Sequence, residues 1–127
     1  MNKILLDTSI IIDHIRQRDK SDTILDRLGK ENFELLVSII THTESYSGKS
    51  VWEEKVARVA LEKVFSDIQI LPLTEDISEK AGEIRANYGT SLADAIIAAT
   101  ALEHNLTLAT LNIKDFKNIR GLKLFKN

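Results

Sequence analysis

Five short apolar segments of the sequence have the length and the residue types of buried β-strands. Each is rich in isoleucine, leucine or valine and is bounded by polar or turn-forming residues. Near-continuous apolar runs are typical of strands that are covered on both faces of a parallel sheet. The predicted strands are residues 3–6, 33–40, 68–71, 106–111 and 122–125.

The segments between these strands carry apolar residues at helical spacing, with charged residues at the remaining positions. Capping residues mark some of the boundaries, since Thr74 precedes one helix and Gly89 ends it. A short segment holding Glu44 follows the second strand, and we expect Thr41 or Thr43 to cap it. The predicted helices are residues 10–18, 21–29, 50–65, 74–88 and 91–102, with a turn or short helix over 112–117.

Strands that alternate with helices predict a parallel sheet, because a parallel connection needs a crossover that a helix usually supplies. We therefore expect a three-layer α/β/α fold, with a central, mostly parallel sheet of about five strands and helices on both faces. A length of 127 residues suits a single domain over residues 1–127.

The amino-acid composition limits which side chains can bind a metal, but it leaves the binding partner open. The chain is 43% hydrophobic and 28% charged, which is ordinary for a globular protein, and it has no cysteine. Any metal must therefore be held by oxygen or imidazole ligands. The net charge of −2 neither requires nor excludes nucleic-acid binding. The first apolar run is short and broken by Asp7, so we expect no signal peptide, no membrane span and a cytoplasmic location.

Four acidic residues stand in similar surroundings. Asp7 ends the first predicted strand, Glu44 comes just past the second, Asp115 follows the fourth, and Asp94 lies in the first turn of an apolar helix. Because parallel strands end at one edge of a sheet, the first three are expected together there, and a helix packed at that edge would bring Asp94 beside them. Taken singly, Asp7 and Asp94 fit helix caps, Glu44 a surface acid and Asp115 a turn former.

A cluster of carboxylates implies a particular chemistry. Carboxylates that face one another repel, and each raises the pKa of its neighbours, so such a cluster is best explained by a bound cation. Oxygen ligands alone favour Mg²⁺ or Mn²⁺. Ions of this kind activate water and stabilise charge on a phosphodiester, which makes phosphodiester hydrolysis the expected reaction class.

Four segments together resemble the PIN-domain family and, within it, the VapC-type toxins. The likeness keeps its order and spacing over nearly the whole chain, and the third and fourth segments are the most distinctive. The segments are ILLDTS at 4–9, THTE at 41–44, SLADAIIAATA at 91–101 and LATLNIKDF at 108–116.

The resemblance implies an endoribonuclease that depends on magnesium or manganese. Position by position, it implies that Asp7, Glu44 and Asp94 hold the metal and that Thr8 or Ser9 supports them. The fold it implies is the α/β/α fold already expected from the alternation of strands and helices.

The fourth acidic ligand has two candidate positions. Members of the family place it either where this chain has Asn112 or a few residues later, where it has Asp115. We expect Asp115 to complete the catalytic and metal-binding set, with Asn112 assisting.

The resemblance also implies partners. VapC-type proteins typically form homodimers, and a small VapB-like antitoxin encoded beside them inserts its tail into the active-site groove. The expected substrate is RNA. The alternatives are a ribosomal RNA-processing nuclease, a non-catalytic RNA-binding scaffold, which the asparagine at 112 favours, and a phosphoacceptor domain with acids at the ends of its strands.

Other polar residues have weaker functional interpretations. His14, His42 and His104 lack the spacing of metal ligands and are expected on the surface or in packing contacts. Five cations are candidate phosphate contacts, although a solvated surface position is the more ordinary interpretation of each. These cations are Arg16, Arg18, Lys20, Lys49 and Arg85.

Overall fold

A computed structural model describes residues 2–126, and its centre is a parallel sheet. The strands are β1 (Lys3–Leu6), β2 (Glu34–Ser38), β3 (Gln69–Leu71) and β4 (Thr107–Ala109). Their order in the sheet is β3–β2–β1–β4, and every pairing is parallel. In β1, Leu5 is paired with Leu36 on one side and with Leu108 on the other. All four strands therefore end at the same edge.

Helices connect and cover the strands. Thr74 and Gly89 cap one of them as predicted, the first through its side chain and the second with a left-handed φ of 68°. Residues 2–126 contain α1 (Thr8–Arg16), α2 (Ile24–Lys30), α3 (Ile39–Ser45), α4 (Lys49–Glu53), α5 (Lys55–Phe65), α6 (Glu75–Tyr88), α7 (Leu92–Glu103) and a 3₁₀ helix (Ile113–Asp115).

Two apolar cores lie on opposite faces of the sheet, because successive residues of a strand point to opposite faces. Leu5 packs with buried residues of α6 and α7. Ile4 and Leu6 pack with buried residues of α1, α2, α4 and α5. The predicted three-layer α/β/α fold with a parallel sheet is confirmed.

Helix α3 connects the two layers at the carboxyl edge of the sheet. It begins directly after β2, where the Ser38 hydroxyl accepts a hydrogen bond of 3.2 Å from the Ile40 N–H. It contacts α1 on one face of the sheet and α7 on the other. A residue late in α3 is therefore held where both layers meet.

Helix α7 is buried along most of its length, as its sequence predicted. Ala95, Ala98, Ala99 and Ala101 are almost fully buried, and their small side chains allow close packing against α6. The first turn of α7 lies at the carboxyl edge, so this packing fixes the position of Asp94.

The fifth predicted strand is wrong. Residues 122–125 make only an isolated bridge, in which the Leu108 N–H donates to the Lys123 carbonyl and the Phe125 N–H donates to the Leu108 carbonyl. The segment leaves a turn at Gly121, whose φ is 84°, and meets a strand that is only three residues long. Residues 122–125 therefore form one bridge to β4 and no continuous strand pairing.

Two predicted boundaries also differ. The helix predicted over 50–65 is two helices, because Glu54 is extended and separates α4 from α5. Both helices still bury apolar residues, so the break does not disturb the hydrophobic pattern. The second strand ends at Ser38 and not at residue 40, because Ser38 caps α3 in place of Thr41 or Thr43.

No helix within residues 2–126 combines the length and the apolarity needed to cross a bilayer.

Candidate metal centre

Asp7 lies at the carboxyl end of β1 and is 3% exposed. Its backbone N–H donates to the Ala109 carbonyl of β4, which continues the pairing of the two strands by one residue. Its side chain caps α1, with Oδ1 accepting a hydrogen bond of 3.3 Å from the Ile10 N–H. The helix-cap interpretation of Asp7 is thus correct, and it is compatible with a position inside the acidic cluster.

Two hydroxyl groups hold the two oxygens of the Asp7 carboxylate. Ser9 Oγ donates to Oδ1, and Thr110 Oγ1 donates to Oδ2. Burial raises the pKa of Asp7 and outweighs these hydrogen bonds, which lower it. The carboxylate is therefore fixed in place by groups that stabilise its charged form in a poorly solvated position.

The same two hydroxyls also anchor the loop that follows β4. Ser9 Oγ accepts a hydrogen bond of 3.0 Å from the Leu111 N–H, and Thr110 Oγ1 accepts one of 2.9 Å from the Asn112 N–H. The orientation of Asp7 and the path of the loop toward Asp115 are thus coupled through two side chains.

Glu44 lies in α3 and is partly buried at the same edge. Thr8 Oγ1 donates a hydrogen bond of 2.6 Å to Glu44 Oε1 and lies 3.2 Å from Oγ1 of the fully buried Thr41. Thr8 is the first residue of α1, so the residue beside Asp7 directly orients Glu44.

Asp94 lies in the first turn of α7 and does not cap it. Ser91 is the cap, and its Oγ accepts a hydrogen bond of 3.1 Å from the Asp94 N–H. Burial raises the pKa of Asp94, and the charges of Asp115, Asp7 and Glu44 raise it further. Each of the other three acids is therefore close enough to Asp94 to act on its ionisation.

Asp115 and Asn112 differ in their relation to this cluster. Asp115, in the 3₁₀ helix, is exposed, and of the three neighbouring charges it has the largest effect on Asp94. Asn112 is also exposed, and its contact with the cluster is the backbone hydrogen bond to Thr110. Asp115 thus acts on Asp94 through its charge, whereas Asn112 contacts Thr110 through its main chain.

The four carboxylates are neighbours but not a closed ligand set. Within residues 2–126, no group of three or more His, Asp or Glu side chains is arranged as it stands to hold a metal ion. Mg²⁺ usually binds through one or two carboxylates and keeps several water molecules, so it does not need an all-protein cage. The oxygen-only donors and their mutual repulsion fit a hard divalent cation.

A cleft of about 600 Å³ lies directly beside two of these acids. Asp94 and Asp115 form part of its wall, between the turn joining α6 to α7 and the segment that follows β4. Asp94 and Asp115 are therefore reached through a space large enough for a small molecule or for part of a larger substrate.

Comparisons with known proteins agree with this geometry. The family model for the PIN domain matches residues 4–122. The chain belongs to the PIN-domain family. The ribonuclease VapC19 of Mycobacterium tuberculosis is 32% identical over 117 residues, which cover 88% of this chain and 90% of that protein. The ribonuclease VapC1 of Rickettsia felis is 33% identical and covers 95% of this chain and 93% of its own length.

Solved structures include close neighbours of this PIN domain. One is VapBC2 from Rickettsia felis bound to a DNA fragment from its promoter, with a TM-score of 0.83, 26% identity and 97% of each chain covered. Another is a toxin–antitoxin complex from Klebsiella pneumoniae, with a TM-score of 0.69, 34% identity and 94% of each chain covered. The family resemblance predicted from the four sequence segments is confirmed.

The histidines of this PIN domain lie where the sequence placed them. His14 contacts Thr23 Oγ1 at 2.6 Å, His42 packs against the rings of Tyr46 and Phe65, and His104 is exposed. The reaction needs no histidine base if metal-activated water is the nucleophile.

The five candidate phosphate-binding cations are exposed, and two of them already bind main-chain carbonyls. Lys20 donates to three carbonyls at the end of α1, and Arg85 Nη1 donates to the Thr90 carbonyl at 2.8 Å. Neither of these two is arranged as a free phosphate contact.

The sequence analysis missed Thr110, Thr41 and Lys114. Thr110 and Thr41 bind groups of the cluster, and Lys114 lines the cleft. A hydroxyl residue beside each acid-bearing segment was a usable signal for the two threonines. Lys114 had no signal apart from its place next to Asp115.

We predict that Thr110→Val lowers the rate of RNA cleavage by about 10–100-fold, as is typical when a group that orients a metal ligand is lost. Valine keeps the shape of the side chain but removes both the donor to Asp7 and the acceptor for the Asn112 N–H. Thr110→Ser keeps the hydroxyl and should recover most of the rate. Initial cleavage rates at saturating metal, with circular dichroism as a check of folding, test this; equal rates for the valine variant and the wild type would contradict it.

Proposed function

We propose that this chain is a metal-dependent endoribonuclease of the VapC type, the toxin of a toxin–antitoxin pair, formed by a single PIN domain over residues 1–127 and acting on RNA in the cytoplasm. The observation that carries the proposal is the placement of four acids at the carboxyl edge of the sheet. Asp7 ends β1, Glu44 is bound by the neighbouring Thr8, and Asp94 and Asp115 line one cleft. The curated relatives are ribonucleases by name, and they match most of the chain.

We assign the catalytic and metal-binding roles to Asp7, Glu44, Asp94 and Asp115, and supporting roles to Thr8 and Asn112. A bound divalent ion, Mg²⁺ or Mn²⁺, would lower the pKa of a water molecule and stabilise negative charge on the phosphodiester. The residues of the chain position this chemistry. Thr8 orients Glu44. Thr110 links Asn112 to Asp7, because its hydroxyl accepts a hydrogen bond from the Asn112 N–H and donates one to the Asp7 carboxylate.

The partners follow from the same proposal. The structural neighbours from Rickettsia felis and Klebsiella pneumoniae are toxin–antitoxin assemblies, which supports a small VapB-like antitoxin for this chain. A homodimer is proposed on the same family basis. The scaffold alternative has the asparagine at 112 in its favour, but Asn112 contacts the site through its backbone. The burial of Asp7 disfavours a phosphoacceptor domain, and no feature of the described residues favours a ribosomal RNA-processing nuclease over the VapC type.

The proposal is tested with the purified, antitoxin-free chain and total cellular RNA. We expect discrete cuts with Mg²⁺ or Mn²⁺, no cuts with EDTA, and recovery when excess metal is restored. Mapping the new RNA ends names the substrate, and titrating each ion separately shows which one supports the higher rate. A folded chain that makes no metal-dependent cuts would overturn the proposal.

A further inference from the structure

The cleft beside Asp94 and Asp115 has a polar lining that the acidic cluster does not explain. The two acids occupy only one part of its wall. The remaining lining includes a cation, two side-chain amides and a hydroxyl, from Lys114, Asn87, Asn118 and Thr90. The cation and the two amides offer hydrogen-bond donors and acceptors to a ligand, with a positive charge close to the carboxylates.

The walls of this cleft are held in place by hydrogen bonds. Gly89 ends α6 in the left-handed region, and Arg85 Nη1 donates to the Thr90 carbonyl at 2.8 Å. Tyr88 Oη accepts a hydrogen bond of 3.1 Å from the Arg120 N–H, which ties the end of α6 to the segment after the 3₁₀ helix. The cleft is therefore preformed and does not depend on a ligand to create it.

Two of the polar groups that line the cleft have no partner within residues 2–126. Lys114 is exposed and makes no hydrogen bond or ion pair with the described residues. Thr90 Oγ1 is buried and likewise has no hydrogen-bond partner among them. Because Thr90 Oγ1 is buried, it does not meet a ligand in the cleft, and of these two groups only Lys114 is open to one.

Resting on the proposed nuclease function, we infer that this cleft binds the nucleotide next to the cleaved phosphodiester of single-stranded RNA. Lys114 contacts a backbone phosphate, and the amides of Asn87 and Asn118 face the base or the ribose. A phosphate that approaches four carboxylates is repelled, and a lysine at the cleft offsets this repulsion. Side-chain amides can read the edges of an unstacked base, which is how proteins usually recognise RNA sequence.

Phosphate contact by Lys114 is tested by the salt dependence of binding, measured in EDTA so that no cleavage occurs. The probe is a fluorescently labelled short single-stranded RNA of mixed sequence. Losing one phosphate contact should lower the slope of log affinity against log salt by about 0.7 for a single strand. We expect this change for Lys114→Gln and recovery of the slope in Lys114→Arg.

Lys117→Gln is the matched control. Lys117 is also exposed and lies three residues farther along the same segment, but it does not line the cleft. Its substitution changes the net charge by the same amount, so it should leave the slope unchanged. Equal slopes for Lys114→Gln and Lys117→Gln would overturn the inference.

Base or ribose contact by the two amides is tested by the cleavage pattern. The Asn87→Ala and Asn118→Ala variants should show a weaker base preference at one position beside the cut. They should still bind RNAs of other sequences. If both variants keep the wild-type base preference and Lys114→Gln keeps the wild-type salt dependence of binding, the cleft does not bind the substrate. A wild-type chain that binds RNA with the expected slope but never cuts it would overturn the nuclease function and leave the RNA-binding cleft supported.

Discussion

The Asp94→Asn variant should cleave RNA at least about a hundredfold more slowly than the wild type while remaining folded. Asp94 is the acid on which the charges of the other three act, so its loss removes the centre of the cluster. Loss of a group that merely orients a metal ligand typically costs about 10–100-fold, and loss of a proposed ligand should cost more. Single-turnover cleavage of a mapped RNA at saturating Mn²⁺ measures the difference.

Thermal unfolding in EDTA is the control for folding. We also predict the direction in which the melting temperature of the variant differs from that of the wild type. The pKa of Asp94 is raised above its ordinary value of 3.8 in the folded chain. Stability associated with this group is therefore fully present below 3.8 and is lost as the pH rises through the higher folded value. Asparagine carries no such charge, so the variant should melt at or above the wild-type temperature at neutral pH without metal.

Two results would contradict this prediction. Retained cleavage by Asp94→Asn would remove Asp94 from the catalytic set. A variant that melts well below the wild type in EDTA would show that the carboxylate has a structural role, and the loss of cleavage could then not be assigned to the chemistry.

The second large effect concerns stability, where Leu5→Ala should lower the free energy of unfolding by about 2–5 kcal/mol. Leu5 is fully buried in the central part of the sheet, paired with Leu36 and Leu108, and it packs toward α6 and α7. Alanine would leave a cavity that the paired strands are not free to fill. Urea-induced unfolding followed by circular dichroism measures the loss.

Leu73→Ala is the matched control for the leucine substitution. Leu73 is 43% exposed and follows β3, so its truncation should cost far less than truncation of Leu5. Similar losses for the two variants would mean that the sheet does not restrict relaxation around Leu5, or that its core is loosely packed.

Most of the fold was predictable because each local signal agreed with the tertiary arrangement. The apolar runs mark the four strands, and Thr74 and Gly89 cap α6 as expected. The errors arose where periodicity carries no information. The break at Glu54 leaves the apolar positions of both helices in the core, and the segment 122–125 has strand composition but meets only one residue of a short strand.

The placement of the acids at one edge of the sheet was predictable, and the family resemblance also indicated Thr8 or Ser9 as supporting residues, whereas Thr110 was not predicted. Asp7 and Glu44 were found because they follow strands, and strand ends converge in a parallel sheet. A hydroxyl residue beside an acid-bearing segment is a signal of low specificity, because Ser, Thr and Asn are common near turns. Only the folded chain shows that Thr8 binds Glu44 and that Thr110 binds Asp7.

The sequence by itself determined the alternation of strands and helices, the edge of the sheet at which the acids gather, and the chemistry that oxygen ligands allow. These follow from local periodicity and from residue type. The tertiary structure alone decided which side chains touch: Thr110 and Asp7 are 103 residues apart, and the cleft forms between the end of α6 and the segment after β4. Contacts at such separations depend on how the helices pack across the sheet, and no local pattern records that packing.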